Sequence, residues 1–197
     1  MIEVELKSVV DDVDRRRAAV EAAGATLVFS GRLEDRRYDT AERALTATDQ
    51  VLRVRVYRDA HGTTSELDWK GPTRREDGYK RREEIETDVS DGDALVAILD
   101  KLGYVVTIAI DREIAQYDLA GTMIRFERYP RMDTLVEVEG TPEQIEAAIV
   151  ALGMARDGFT SERLVDFAAR FETRTGTRAA LSHAALANDS GFDPINA

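Results

Sequence analysis

The chain has 197 residues, 43% of them hydrophobic, enough to bury a core without disulfide or metal staples. It has no cysteine, which excludes disulfides, thiolate metal sites and cysteine nucleophiles and fits a reducing compartment. A formal net charge of -11 argues against a general nucleic-acid binder, because phosphate-backbone affinity needs a net basic surface.

The first element, Glu3-Val4-Glu5-Leu6-Lys7, alternates charged and aliphatic residues and predicts a strand with one fully charged face. These charges stand where a signal peptide needs an apolar run, and no segment is long and apolar enough to span a bilayer. A soluble, cytoplasmic protein with no membrane partner is therefore expected.

Asp11-Asp12-Val13-Asp14 opens a helix with acids in its first turn, closed near Gly24, and the Arg15-Arg16-Arg17 run reads as its solvated face. Residues 25–39 read as extended with a turn or bend near Gly31, and residues 40–49 as a loop. Val51 to Arg58 and Ser65 to Lys70 flank Asp59-Ala60-His61-Gly62, a hairpin signal. Gly71-Pro72 ends that strand, Thr73 to Gly78 reads as charged and mobile, and Tyr79 to Val89 resumes alternation.

Leu95, Ile98, Leu99 and Leu102 at helical spacing predict a helix over 91–102 packed on the outside of the sheet. Residues 104–118, 122–128 and 134–140 read as three strands. Thr141 as N-cap and Pro142 at the first helical position start another helix. A last helix is expected from Thr160 to Glu172, with Leu164, Phe167 and Phe171 as its apolar stripe. Residues 176–197 are expected to form a loosely held tail.

The charged alternation recurs in Leu52-Arg53-Val54-Arg55, Asp68-Trp69-Lys70, Lys80-Arg81-Arg82-Glu83-Glu84-Ile85-Glu86, Arg125-Phe126-Glu127 and Glu137-Val138-Glu139. Strands of this kind make either a flat sheet with solvated charges or a closed barrel with a charged lumen. In a lumen, the desolvated charges need partners or a bound ion. Glu3, Glu5, Glu84, Glu86, Glu127, Glu137 and Glu139 would supply carboxylates there, and Lys7, Arg53, Arg55, Lys70, Lys80, Arg82, Arg112 and Arg125 cations. Oxygen donors without histidine or cysteine suit Mg2+ or Mn2+ rather than zinc. The two histidines, His61 in a turn and His183 in the tail, read as neither ligands nor bases. Arginine forks and lysine ammonium groups are the usual partners of phosphate. Together these groups indicate a small polyphosphate held with its metal.

Glu3-x-Glu5-x-Lys7 resembles the signature of the CYTH superfamily, the triphosphate tunnel metalloenzymes. Further elements follow in order: Tyr38-Asp39-Thr40, Leu52-Arg53-Val54-Arg55, Trp69-Lys70-Gly71-Pro72, Arg82-x-Glu84-x-Glu86, Arg112, and Val136-Glu137-Val138-Glu139-Gly140. Two positions depart from the family pattern: Ile110 stands where a lysine is common, and Glu127 where aspartate is.

The resemblance implies an α+β fold, a closed antiparallel barrel of about eight strands with peripheral helices, over residues 1–175. It also implies roles. Glu3, Glu5, Glu137, Glu139 and Glu127 would bind Mg2+ or Mn2+, and Arg53, Arg55, Lys70, Lys80, Arg82, Arg112 and Arg125 the triphosphate. Glu5 or Glu84 would accept a proton from water, and Lys7 would stabilise leaving oxygens. The implied activity is metal-dependent hydrolysis of inorganic triphosphate or a small organic triphosphate such as ATP or thiamine triphosphate. Two alternatives stand beside it: a class IV adenylyl cyclase releasing pyrophosphate, and a polyphosphate-binding module without turnover.

Overall fold

The structure, a computed structural model, describes residues 2–188, with side chains from Val4 onward. Nine strands are present: β1 (Ile2–Val9), β2 (Thr26–Asp39), β3 (Val51–Arg58), β4 (Thr63–Lys70), β5 (Arg74–Glu76), β6 (Tyr79–Val89), β7 (Val105–Leu119), β8 (Thr122–Arg128) and β9 (Leu135–Glu139). The helices are α1 (Val13–Ala22), α2 (Ala44–Ala47), α3 (Gly92–Lys101), α4 (Pro142–Leu152), α5 (Leu164–Thr175) and α6 (His183–Ala187). Eight strands form one antiparallel circuit in the order β1-β9-β8-β7-β2-β3-β4-β6, and pairing of β6 with β1 closes it into a barrel. Strand β5 lies outside the circuit on β6.

Closure is uneven at β1. Residues 2–5 pair with β6, while residues 5–9 pair with β9. Beyond residue 5 one edge of β1 would be bare, and Thr160 takes it: Lys7 N donates to the Thr160 carbonyl at 2.9 Å and Thr160 N donates back at 2.8 Å. Unmet main-chain groups at a sheet edge are costly when buried, so this pairing has structural weight. It also corrects the expected start of the last helix. Thr160 is held in an extended bridge, and α5 begins at Leu164.

The period of two sends Val4 and Leu6 outward into the largest core cluster while Glu5 and Lys7 point inward. That cluster joins Tyr117, Ile124 and Val138 of the barrel wall to Val20 of α1 and Ile145, Ile149 and Leu152 of α4. Burying each of these large side chains contributes about 1.5–3 kcal/mol. Helix α4 carries its full N-terminal signal. Gln144 N donates to Thr141 Oγ1 and Thr141 N donates back to Gln144 Oε1, with Pro142 in the first turn. Arg16, expected on a solvated face, is buried instead. Its guanidinium donates to the Leu152 and Gly153 carbonyls at the end of α4, where cations offset bare carbonyls.

Helix α3 covers β2, β3 and β4 through Leu99 and Leu95, which meet Tyr38, Val54 and Leu67. Ile98 and Leu102, expected in the core, are 56% and 67% exposed, so the helix lies on its narrow Leu95–Leu99 edge.

Four further expectations need correction. Strand β2 runs unbroken through Gly31. A Cβ there would lie 2.2 Å from the Arg58 carbonyl, so glycine permits close strand approach and makes no turn. The 40–49 loop contains the short α2, and the 73–78 segment forms β5 with a tight turn at Asp77 and Gly78, both at positive φ. Within the tail, Ala179, Ala180, Leu181 and Ser182 are buried. Asp111 N donates to the Leu181 carbonyl at 2.8 Å, and Ala180 and Arg131 exchange main-chain hydrogen bonds. The rest of the tail expectation, 189–197, lies outside the described residues. No helix among the described residues is long and apolar enough to cross a membrane.

A charged tunnel as candidate active site

Alternation brings the inward side chains into register across neighbouring strands. Arg37 of β2 stands opposite Arg53 of β3, and Asp35 opposite Arg55. Arg53 in turn faces Asp68 of β4, and Lys70 faces Glu84 of β6. On the other side Lys7 faces Glu137, which faces Arg125. All of these side chains except Asp68 and Glu84 border a cavity of about 810 Å³ inside the barrel. A second cavity of about 610 Å³ opens from the other end, and Arg55 and Arg125 border both. The two arginines thus form the partition of the tunnel.

Glu5, Lys7, Glu137 and Lys80 make one linked cluster. Lys7 Nζ lies 2.7 Å from Glu5 Oε2 and 3.1 Å from Glu137 Oε2, and Lys80 Nζ donates to Glu5 Oε1. Burial alone would push the Glu5 carboxyl up, but Lys7, Lys80 and Lys70 outweigh it and hold the group well below the ordinary range. Glu137 likewise is held low, by Lys7 and Arg125 against burial. Burial would lower the Lys7 ammonium, yet Glu137 and Glu5 raise it, so Lys7 stays charged.

The arginines are braced by acids that sequence reasoning passed over. Asp68 is fully buried and accepts from Arg53 Nε at 3.0 and 2.8 Å. Asp35 accepts from Arg112 and lies 3.4 Å from Arg55 Nε. Burial would raise Asp35, but Arg112, Arg55 and Arg37 hold it below its usual value. Donors nevertheless remain unmatched: Arg37 Nε, Arg53 Nη2, Arg55 Nε and Arg112 Nε are shut off from solvent and have no hydrogen-bond partner. Orphaned donors of this kind are costly unless a ligand meets them.

The expected site residues fall into three groups. Glu5, Lys7, Glu137, Lys80, Lys70, Arg53, Arg55, Arg82, Arg112 and Arg125 all border the main cavity. Glu84 stands beside it, 3.1 Å from Lys70 Nζ and 3.7 Å from Arg53 Nη2. Glu139 and Glu86 border the second cavity instead. Glu127 is fully buried and its oxygens are taken: Oε1 accepts from Arg112 at 2.7 Å and Arg125 at 3.0 Å, and Oε2 from the Tyr129 hydroxyl at 2.5 Å. Arg82 is also partly engaged, donating to the Gly71 and Asp49 carbonyls and so tying the Gly71 turn to the α2 loop. The Glu3 side chain lies outside the described residues.

Asp39 of the Tyr38-Asp39-Thr40 element holds that loop, accepting from the main-chain N–H groups of Thr40, Leu45 and Thr46 and from the Thr46 hydroxyl. Thr46 borders the cavity, as do Leu164 of α5 and Leu181. Leu181 and Leu164 pack with Ile110, Tyr129 and Phe167, so an apolar wall flanks the cations.

Among the described residues no set of three or more acidic side chains converges as a ready-made cation cage. Glu5 and Glu137 nevertheless converge on the one ammonium of Lys7. A magnesium-type ion is commonly held by one or two carboxylates, with waters and substrate phosphates completing its shell. The donor set fits an ion bound together with a phosphate ligand.

A family model described as the CYTH domain matches residues 1–148. A protein of Methanocaldococcus jannaschii named as a putative adenylate cyclase is 28% identical over 167 residues, 80% of this chain and 93% of its own. Among solved structures, a Vibrio parahaemolyticus protein described as a putative adenylate cyclase superposes with a TM-score of 0.73 at 19% identity, covering 85% of this chain and 97% of that one. The Hippeastrum protein HpAC1, described as a putative adenylyl cyclase with a dominant triphosphatase activity, gives a TM-score of 0.57 at 15% identity, covering 98% of both chains. Both structures share the barrel. With the family match over three quarters of its length, the chain belongs to the CYTH-domain family of tunnel proteins.

Proposed function

We propose that this protein is a divalent-metal-dependent triphosphatase acting on inorganic triphosphate or a small organic triphosphate. The observation that carries the reading is the convergence in one enclosed cavity of Arg53, Arg55 and Arg112, each with a buried donor unmatched, beside the Glu5–Glu137 pair. An extended polyanion satisfies both features, because its oxygens meet the donors and its metal meets the acids.

In this reading Glu5 and Glu137, with Glu3, would hold Mg2+ or Mn2+, which when bound would supply charge neutralisation for the transferred phosphoryl group. Arg53, Arg55, Lys70, Lys80 and Arg112 align the chain of phosphates for in-line attack. Water adds to the terminal phosphorus, the bridging P–O bond breaks, and the proton passes to a carboxylate, for which Glu84 and Glu5 are the candidates. Lys7, held protonated by its two acids, acts as a fixed cation for the leaving oxygens and not as a base. Glu127 is assigned a positioning role, since its contacts fix Arg112 and Arg125. The dominant triphosphatase activity described for the Hippeastrum protein supports the choice.

Adenylyl cyclase activity is the second reading, favoured by the names of the archaeal and Vibrio relatives. Incubation of the protein with tripolyphosphate, ATP and thiamine triphosphate, each with Mg2+ or Mn2+, separates the readings. Orthophosphate release supports hydrolysis, cyclic AMP with pyrophosphate supports the cyclase, and tight tripolyphosphate binding without product supports a binding module.

A further inference from the structure

Arg37 faces the lumen and, among the described residues, makes no ion pair. Its neighbours are all engaged: Arg53 with Asp68, Arg55 with Asp35, Arg112 with Asp35 and Glu127, Arg125 with Glu127 and Glu137, and Arg82 with two main-chain carbonyls. Among the described residues Arg37 has no carboxylate oxygen within 4.0 Å, and its Nε is shut off from solvent with no partner. It borders the main cavity.

Its flanks sharpen the point. On one side Arg37 stands directly across the β2–β3 ladder from Arg53, a like-charge cross-strand pair of the kind that destabilises a sheet. On the other it faces Ile108, which offers nothing to a guanidinium. Burial, Arg112 and Arg82 all act against the Arg37 charge, and Asp35 and Asp68 offset them only in part. Arg53 presents an unmatched Nη2 beside the same cavity. Among the described residues Arg37 is thus a lumen cation without an ion pair, opposite a second with a spare donor.

We propose that Arg37 and Arg53 form a two-arginine fork that grips one phosphoryl group of the triphosphate, with Arg37 as a ligand-binding residue in its own right. The inference rests on the triphosphate reading and adds a specific residue to it. A phosphoryl group carries several acceptor oxygens and at least one negative charge, so one group between the two guanidinium planes meets both spare donors and cancels the repulsion. In the free protein the Arg37–Arg53 repulsion is retained as the cost of a preformed anion seat.

The fork has a signature that a structural arginine lacks, because removing Arg37 relieves the ligand-free protein while weakening the complex. Arg37→Gln, Arg37→Lys and, as a reference, the exposed Arg15→Gln are compared with the unaltered protein by tripolyphosphate calorimetry and thermal melting, in EDTA and again with Mg2+. The expected result is a melting temperature of ligand-free Arg37→Gln equal to or above that of the unaltered protein, with tripolyphosphate affinity at least tenfold lower. Arg37→Lys should fall between, since it keeps the charge and loses the planar fork, and Arg15→Gln should bind normally. Affinity of both Arg37 variants within twofold of the unaltered protein, while Arg53→Lys loses tenfold, overturns the fork and leaves the triphosphate reading standing. A loss of affinity that comes with a lowered ligand-free melting temperature in both Arg37 variants also overturns it, by making Arg37 structural. No tripolyphosphate binding by the unaltered protein overturns the triphosphate reading and the fork together.

Discussion

Lys7 Nζ lies 2.7 Å from Glu5 Oε2, two residues back along the same strand, and 3.1 Å from Glu137 Oε2, and so is the one ammonium that both acids share, Glu5 being paired also with Lys80 and Glu137 with Arg125. Lys7→Met removes the shared ammonium and leaves two buried carboxylates in apposition, which raises the pKa of one of them. The variant should melt below the unaltered protein in EDTA and regain more from Mg2+ than the unaltered protein does. Equal gains from Mg2+ in the two proteins would count against a metal site on this pair.

Arg53 and Asp68 form a pair with side chains 8% and 0% exposed. Arg53→Met leaves buried Asp68 with only the longer 3.6 Å approach of Arg55 Nε and should destabilise the barrel by about 3 kcal/mol, whereas Arg53→Met with Asp68→Asn should recover most of the loss. Urea unfolding of the single and double variants measures both.

On the triphosphatase reading, turnover should depend on the metal and phosphate halves of the site separately. Glu5→Gln should lower kcat through the metal half, and Arg55→Met through the phosphate half by about 10²–10³-fold, the usual cost of one lost charge-stabilising donor. Metal titration distinguishes them: raised Mg2+ should partly rescue Glu5→Gln and leave Arg55→Met unchanged.

Acid should loosen the barrel through Glu5, Asp35 and Glu137, all held below their ordinary values in the fold. As pH falls, the unfolded chain takes up protons first, so stability present at neutral pH declines below about pH 4, the ordinary carboxylate range, and continues to fall through the lowered values. Glu66 has the opposite sign. Burial pushes its carboxyl up, so its ionisation opposes folding and Glu66→Gln should melt higher at pH 7. Melting curves from pH 7 to pH 2.5 check both directions.

Leu181 is 2% exposed and packs on Ile110, Tyr129 and Phe167 while bordering the cavity. Leu181→Ala should cost about 2–5 kcal/mol. Ending the chain after Thr175 should cost more and raise KM for the triphosphate, and steady-state kinetics with an unchanged KM would show that residues 179–182 do not shape the site.

The barrel was legible because its wall is built on a contrast that recurs every second residue, aliphatic outside and charged inside, as in Val4-Glu5-Leu6-Lys7. Where that contrast fails, so does the reading. In β2, Glu34 and Arg36 lie outside while Asp35 and Arg37 lie inside, so both faces are charged and no alternation marks Asp35 or Arg37 as lumen residues. Asp68 sat in plain alternation beside Lys70 and was legible in principle. Strand β5 was hidden because Arg74-Arg75-Glu76 has no apolar position and is fixed only by its pairing with β6. The tail was hidden for a different reason: Ala179 and Ala180 carry little hydrophobic signal, and they are held through their main chain, Ala180 by pairing with Arg131 and Ala179 by donating to the Glu172 carboxylate.

The bridge between Thr160 and Lys7 carries the barrel's hydrogen bonding past the region that the family model covers. The family match stops at residue 148, yet the main chain carrying the central lysine is hydrogen-bonded to a residue twelve positions further on. A protein trimmed to the matched region would keep the charged side chains that the strands carry into the lumen, but lose Glu162, Arg163 and Asp166 from its border and the clasp that seals the seam beside Lys7. Its ammonium would then sit at an open edge wetted by bulk water, where the same charges attract a phosphate far more weakly.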